Sequence, residues 1–89
     1  MSFHRCTICE DDGSLVVKDV TVALEETERD ATTLWYGTIT VSHLANLVAG
    51  QRYRLVLDDG RTGEFTVRRN TFAGETNRAV AVDGTGPLT

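Results

Sequence analysis

The chain has 89 residues, enough for one domain with a single modest core, and its 40% hydrophobic and 25% charged content is that of a folded protein. No apolar run approaches the roughly 20 residues of a membrane span, and Met1–Cys6 lacks a signal-peptide core, so a cytoplasmic location without a membrane partner is expected. The net charge of −4 is uneven: residues 1–50 carry eight carboxylates against Arg5, Lys18 and Arg29, whereas residues 51–89 carry six arginines against five carboxylates.

Phe3 to Cys9 reads as a first strand, ended by the turn Glu10-Asp11-Asp12-Gly13. From Ser14 to Leu24, Val16, Val20, Val22 and Leu24 alternate on one face. Lys18 interrupts that face, which predicts a bend or bulge near Lys18-Asp19. Glu25 to Thr32 holds Glu25, Glu26, Glu28, Arg29 and Asp30 with Ala31 as its only apolar residue. A solvated loop is expected there, with a protruding binding loop as the functional alternative. Thr33 to Ser42 predicts a strand with Trp35, Ile39 and Val41 inward and Leu34, Tyr36, Thr38 and Thr40 outward. Gly37 on the inward side would admit a close neighbour or a bend. Leu44, Leu47 and Val48 follow at i, i+3 and i+4, with Ser42 as a cap and Gly50 as a stop. This spacing predicts one short helical turn near residues 43–49, plugging an open barrel end.

The clearest local signal is Gln51 to Arg68, two alternating runs around an Asp-Gly turn. A two-residue turn at Asp59-Gly60 would pair Leu55 with Glu64 and mix core with solvent. A three-residue loop, Asp58-Asp59-Gly60, pairs Tyr53 with Phe65, Arg54 with Glu64 and Leu55 with Gly63. Gly60 then occupies the left-handed position that such loops require. Tyr53, Leu55, Leu57, Phe65 and Val67 face the core, while Val56 is left outside. Arg78 to Asp83 is the last strand, with Val80 and Val82 inward, and residues 84–89 form a flexible or docking tail.

The expected fold is therefore all-β, a single domain over residues 1–89: a small five- or six-stranded barrel or sandwich. A short helix between the third and fourth strands resembles the element order of an oligonucleotide/oligosaccharide-binding barrel. SH3-like and split barrels fit the spacing nearly as well. Such folds host many unrelated functions.

Cys6-Thr7-Ile8-Cys9 is the obvious chemical candidate, because two thiolates at that spacing can enter a zinc site. Four ligands would require Cys6, Cys9, His4 and His43, the only histidines. In an extended strand, positions three apart project to opposite faces, which argues against a metal and against a redox pair. Glu10, Asp11 and Asp12 lack the ligand pattern of a calcium loop and read as a solvated turn. Ser42 beside His43 gives no nucleophile–base geometry, because adjacent residues do not face one another. Gly84-Thr85-Gly86 precedes no helix, so it does not form a phosphate cradle, and no cofactor is expected.

These readings lead to a non-enzymatic module that binds another protein or assembles with itself. A strand meander of this size leaves open edges, and open edges invite strand addition. Contacts are expected at Phe72, in the loop Asn70–Gly74, at the outward Tyr36 and Val56, and at Leu88 in the tail. Small barrels of this kind also serve as subunits of phage-type structural assemblies. The alternative is nucleic-acid or ligand binding through an arginine face of Arg52, Arg54, Arg68 and Arg69. Asp58, Asp59 and Glu64 on the same hairpin weigh against it, since a nucleic-acid footprint wants a clean basic patch.

Overall fold

A computed structural model describes all residues from Met1 to Thr89. Six strands, β1 (Ser2–Glu10), β2 (Leu15–Arg29), β3 (Thr32–Ser42), β4 (Arg52–Leu57), β5 (Thr62–Phe72) and β6 (Asn77–Gly84), close into one antiparallel barrel in the order β1-β2-β3-β6-β5-β4. Closure is made by β1 on β4, with Cys6 opposite Leu57 and Glu10 opposite Tyr53. Closure leaves no edge strand running the length of the sheet, so the open edges expected from a meander shrink to overhanging strand segments such as Ser2–His4 of β1 and Leu15–Val20 of β2.

The register of the β4–β5 hairpin follows its side-chain pattern: Tyr53 pairs with Phe65, Arg54 with Glu64 and Leu55 with Gly63. Its loop is Asp58-Asp59-Gly60, with Gly60 at φ +93°. Between the pairs Cys6–Val20 and Ile8–Val17, the single β1 residue Thr7 faces two of β2, so the ladder bulges at Lys18-Asp19. Asp19 takes a left-handed φ of 60°, and Arg5 clamps it through Nε to Oδ1 at 3.0 Å and Nη2 to the main-chain oxygen at 3.0 Å. The bulge turns Lys18 outward and returns Val20, Val22 and Leu24 to the interior.

The interior is a column of three aromatic rings. Trp35 meets Phe65 edge-on, with centroids 6.2 Å apart, and Phe65 lies 5.9 Å from Tyr53. Aliphatic side chains from every strand surround the column, and no polar or charged residue is buried. Glycines make room for it. A Cβ on Gly63 would lie 2.7 Å from Leu88 Cδ1 and 3.0 Å from Trp35 Cζ2, and one on Gly37 would strike the carbonyl of Ala23.

The ends of the barrel are closed differently. At one end the tail folds back: Trp35 Nε1 donates to the Gly86 carbonyl at 2.8 Å, Thr85 and Thr89 bond the main chain of β5, and Leu88 packs on the core. At the other end the β3–β4 crossover carries no helix, which corrects the helical turn expected at residues 43–49. Only Leu47 enters the core, while Leu44 is 81% exposed. The crossover instead satisfies its main chain with side chains of β4 and β5: Asn70 Nδ2 donates to the Leu47 carbonyl at 2.7 Å, and the Val48 amide donates to Tyr53 Oη at 3.0 Å. Those bonds replace the i to i−4 ladder that a helix would need.

Candidate interaction surface

The segment expected as a solvated loop, residues 25–32, is instead the far half of a β-ribbon. β2 and β3 remain paired from Glu25–Tyr36 through Glu26–Trp35, Thr27–Leu34 and Glu28–Thr33 to Arg29–Thr32. Asp30 (φ 51°) and Ala31 (φ 62°) form the two-residue connection, both left-handed, the geometry that matches the twist of paired strands. This ribbon outruns its neighbours. β1 begins opposite Leu24 at Ser2, and the β3–β6 pairing ends at Tyr36–Asp83. Residues Glu25–Arg29 of β2 and Thr32–Trp35 of β3 therefore have no ladder partner on their outer sides. They form an arm, and the molecule measures 40 × 26 × 25 Å.

On an unpaired edge every other residue turns its N–H and C=O away from the existing partner. The arm thus carries two short rows of free main-chain donors and acceptors. One of its faces presents Glu25, Thr27 and Arg29 with Leu34 and Tyr36, the latter two each 44% exposed. The other presents Glu26 and Glu28 with Thr33. Cations of the same chain reach its base: Arg61 Nη1 lies 2.8 Å from Glu26 and the Met1 ammonium 3.5 Å from Glu25. Glu28 and Asp30 have no cation within 4 Å. Phe3 and Met1, 69% and 78% exposed, lie on the line of β1 just short of the β2 edge.

The residues singled out from the sequence do not converge on one surface. Tyr36 lies at the root of the arm. Val56 points outward on β4 and lines a groove of about 250 Å³ with Arg5, Lys18 and Asp19. Leu88 docks on the chain's own core. Phe72 belongs to the end of β5 and not to a loop, because Phe72 pairs with Arg78. It is 73% exposed and carries the Arg78 guanidinium 4.3 Å above its ring.

The arginine face is real as a face but is interleaved with carboxylates. Arg54 and Arg52 approach Glu64 at 3.2 and 4.0 Å, and Arg68 lies 3.7 Å from Asp83. A bulge at Arg68 leaves both Arg68 and Arg69 exposed. Beside this face the tail and β5 enclose a groove of about 280 Å³ lined by Arg54, Glu64, Thr62, Pro87 and Thr89, with no hydrophobic lining.

The two cysteines point to opposite sides of β1: Cys6 is in the core and Cys9 is half-buried on the outside. Burial, reinforced by the Asp58 carboxylate, pushes the Cys6 thiol up to about 11. His4 lies beside Asp58 at one barrel end, and His43 bonds the Thr76 carbonyl at the other. The four ligands that a zinc site would need are thus not brought together.

The β3 half of the arm from Thr33 is legible as strand, whereas the β2 half, Glu25–Arg29, is polar on both faces and shows no alternation of apolar with polar. The threonines at positions 27, 32 and 33 and the run into Trp35 are the signals that could have found it. Comparison with protein-family models, curated proteins and solved structures returns no match, so the surface is read from its own geometry.

Proposed function

We propose that the chain is a non-enzymatic protein-interaction or self-assembly module that engages its partner through the β2–β3 arm, as a subunit of a larger complex would. The observation that carries this reading is the placement of free main-chain edges. A closed barrel pairs most of its strand length. Although Leu15–Val20 of β2 also lacks a β3 partner and Ser2–His4 of β1 a β4 partner, only the arm is a paired ribbon with both outer sides free. Strand addition to such an edge draws affinity from main-chain hydrogen bonds and specificity from alternate side chains. The interior supports the same reading, because the aromatic column and tail fill the space where a small barrel would hold a ligand. Pairing of Arg52, Arg54 and Arg68 with carboxylates supports protein over nucleic acid as the partner.

A photo-crosslinking amino acid placed at Thr27, compared with the same group at Thr66 on the barrel wall, tests it in the cells that make the protein. A discrete adduct from Thr27 and none from Thr66 is expected. Adducts of equal yield from both sites, or none from Thr27, would remove the arm from the interface.

A further inference from the structure

We infer that the β2 edge of the arm, Glu26 to Arg29, receives an extended basic segment of another protein, added as a strand in line with β1. This rests on the arm reading above and names the partner's chemistry.

The choice of edge comes from what flanks each one. The β3 edge runs into Trp35, whose indole is bonded to Gly86, so the tail stands beside it. The β2 edge is flanked only by Met1, where β1 runs out. A strand laid there continues the line of β1 and becomes the next rung of the same sheet. The spacing between strands, about 4.8 Å, puts its side chains within reach of those on β2.

The choice of occupant comes from charge. An incoming strand meets Glu26 and Glu28 on one face and Glu25 on the other, with Asp30 at the tip. Arg29 is the only cation of the arm itself. Arg61 reaches over from the β4–β5 hairpin to Glu26, showing that a guanidinium is accommodated there. Glu28, one pleat further out on the same face, has no such partner. A Lys or Arg opposite Glu28 would supply it, and the next alternate position would come opposite Glu26. At the inner end of the added strand, exposed Met1 and Phe3 offer apolar contact. A second copy is a poor fit for this edge. Two arms paired antiparallel about Thr27 would set Glu25 opposite the partner's Arg29 but also Glu26 opposite the partner's Glu28. Like charges directly opposite cancel the favourable pairs, whereas a basic strand meets Glu26 and Glu28 without that repulsion.

The test uses the whole 89-residue chain, labelled with nitrogen-15, and two synthetic peptides of alternating pattern, Thr-Lys-Val-Lys-Val-Lys-Val-Lys-Thr and the same sequence with Glu for every Lys. The lysine peptide is expected to shift the amides of Glu26–Arg29, with affinity falling about tenfold between roughly 50 and 300 mM salt. Glu28→Gln should weaken it about threefold, and Arg61→Ala, which frees Glu26, should strengthen it by a similar factor. Equal shifts at the arm from both peptides would overturn the basic-partner inference while leaving the arm an open edge. Shifts confined to the barrel wall, or none up to about 1 mM peptide, would overturn it as well. The adducts from Thr27 judge the arm reading independently. A mass twice that of the monomer by light scattering, held more tightly when Glu26 or Glu28 is made neutral, would assign the edge to a second copy and also overturn it.

Discussion

Gly84→Ala puts a methyl group where the Trp35 indole now lies. The backbone there has no left-handed strain, so the effect isolates packing. The added Cβ would fall 2.6 Å from Trp35 Cδ1 and closer still to Nε1 and Cε2, so the ring must move. Trp35 is 2% exposed and held between Phe65, Leu88 and Gly63, so there is no empty space to receive it. Overpacking of this kind costs about 1–3 kcal/mol. Moving the indole also breaks its hydrogen bond to the Gly86 carbonyl, worth about 1 kcal/mol. The expected loss is about 2–4 kcal/mol, against a total of about 4–13 kcal/mol for a chain of this length. The midpoint of thermal unfolding should fall by about 10–25 °C. Urea unfolding followed by circular dichroism measures the loss without relying on the tryptophan being moved. In the double variant with Trp35→Phe the smaller ring gives way, and the two costs should fall short of additivity by about 1 kcal/mol or more. A Gly84→Ala protein within about 0.5 kcal/mol of the parent would refute the packing of the tail end.

Further consequences can be checked separately. With the folded protein at neutral pH, a thiol reagent should label Cys9 and spare Cys6, and both should react after denaturation. The Cys6 thiol titrates near 11 when folded and near 9.0 when unfolded. Over that window the folded state holds the proton that the unfolded state has lost, so stability falls as pH rises, by up to about 2–3 kcal/mol. Cys6→Ala should remove that slope from urea midpoints measured between about pH 8 and 11. Asn70→Ala strips the Leu47 carbonyl and the Arg78 guanidinium of a partner at once, and should cost about 1–3 kcal/mol in chemical unfolding. Ala31→Gly relieves a left-handed alanine and should stabilise the arm by about 0.5–1 kcal/mol, seen as slower amide exchange at Arg29 and Thr32 with no change in the barrel.

How far each part could be read from the sequence follows from how it is buried. The β4–β5 hairpin has one dry and one wet face, so its alternation and Gly60 define the register to the residue. The bulge was legible because Lys18 breaks an otherwise apolar row. At residues 43–49 the spacing of Leu44, Leu47 and Val48 matches a helix, yet the Leu47 carbonyl is taken by the side chain of Asn70, remote in sequence, and the Val48 amide by the Tyr53 hydroxyl on the next strand. Closure of the barrel by β1 on β4 is likewise a long-range pairing with no local signature. The arm was hidden for the opposite reason. Beyond Trp35 it is exposed on both faces and joined by Asp-Ala in place of Asn-Gly, so its β2 half carries neither the periodicity nor the turn signal of a hairpin.

The most direct measurement is residue-resolved amide hydrogen exchange on the free protein. If the arm keeps its edges open, alternate amides within Glu25–Arg29 and Thr32–Trp35 exchange at nearly unprotected rates. Their inward-facing neighbours, and the ladders of β1 on β4 and β3 on β6, exchange slowly. Protection running unbroken from Glu25 to Trp35 would mean that the edges are already covered, and would contradict the role assigned to the arm.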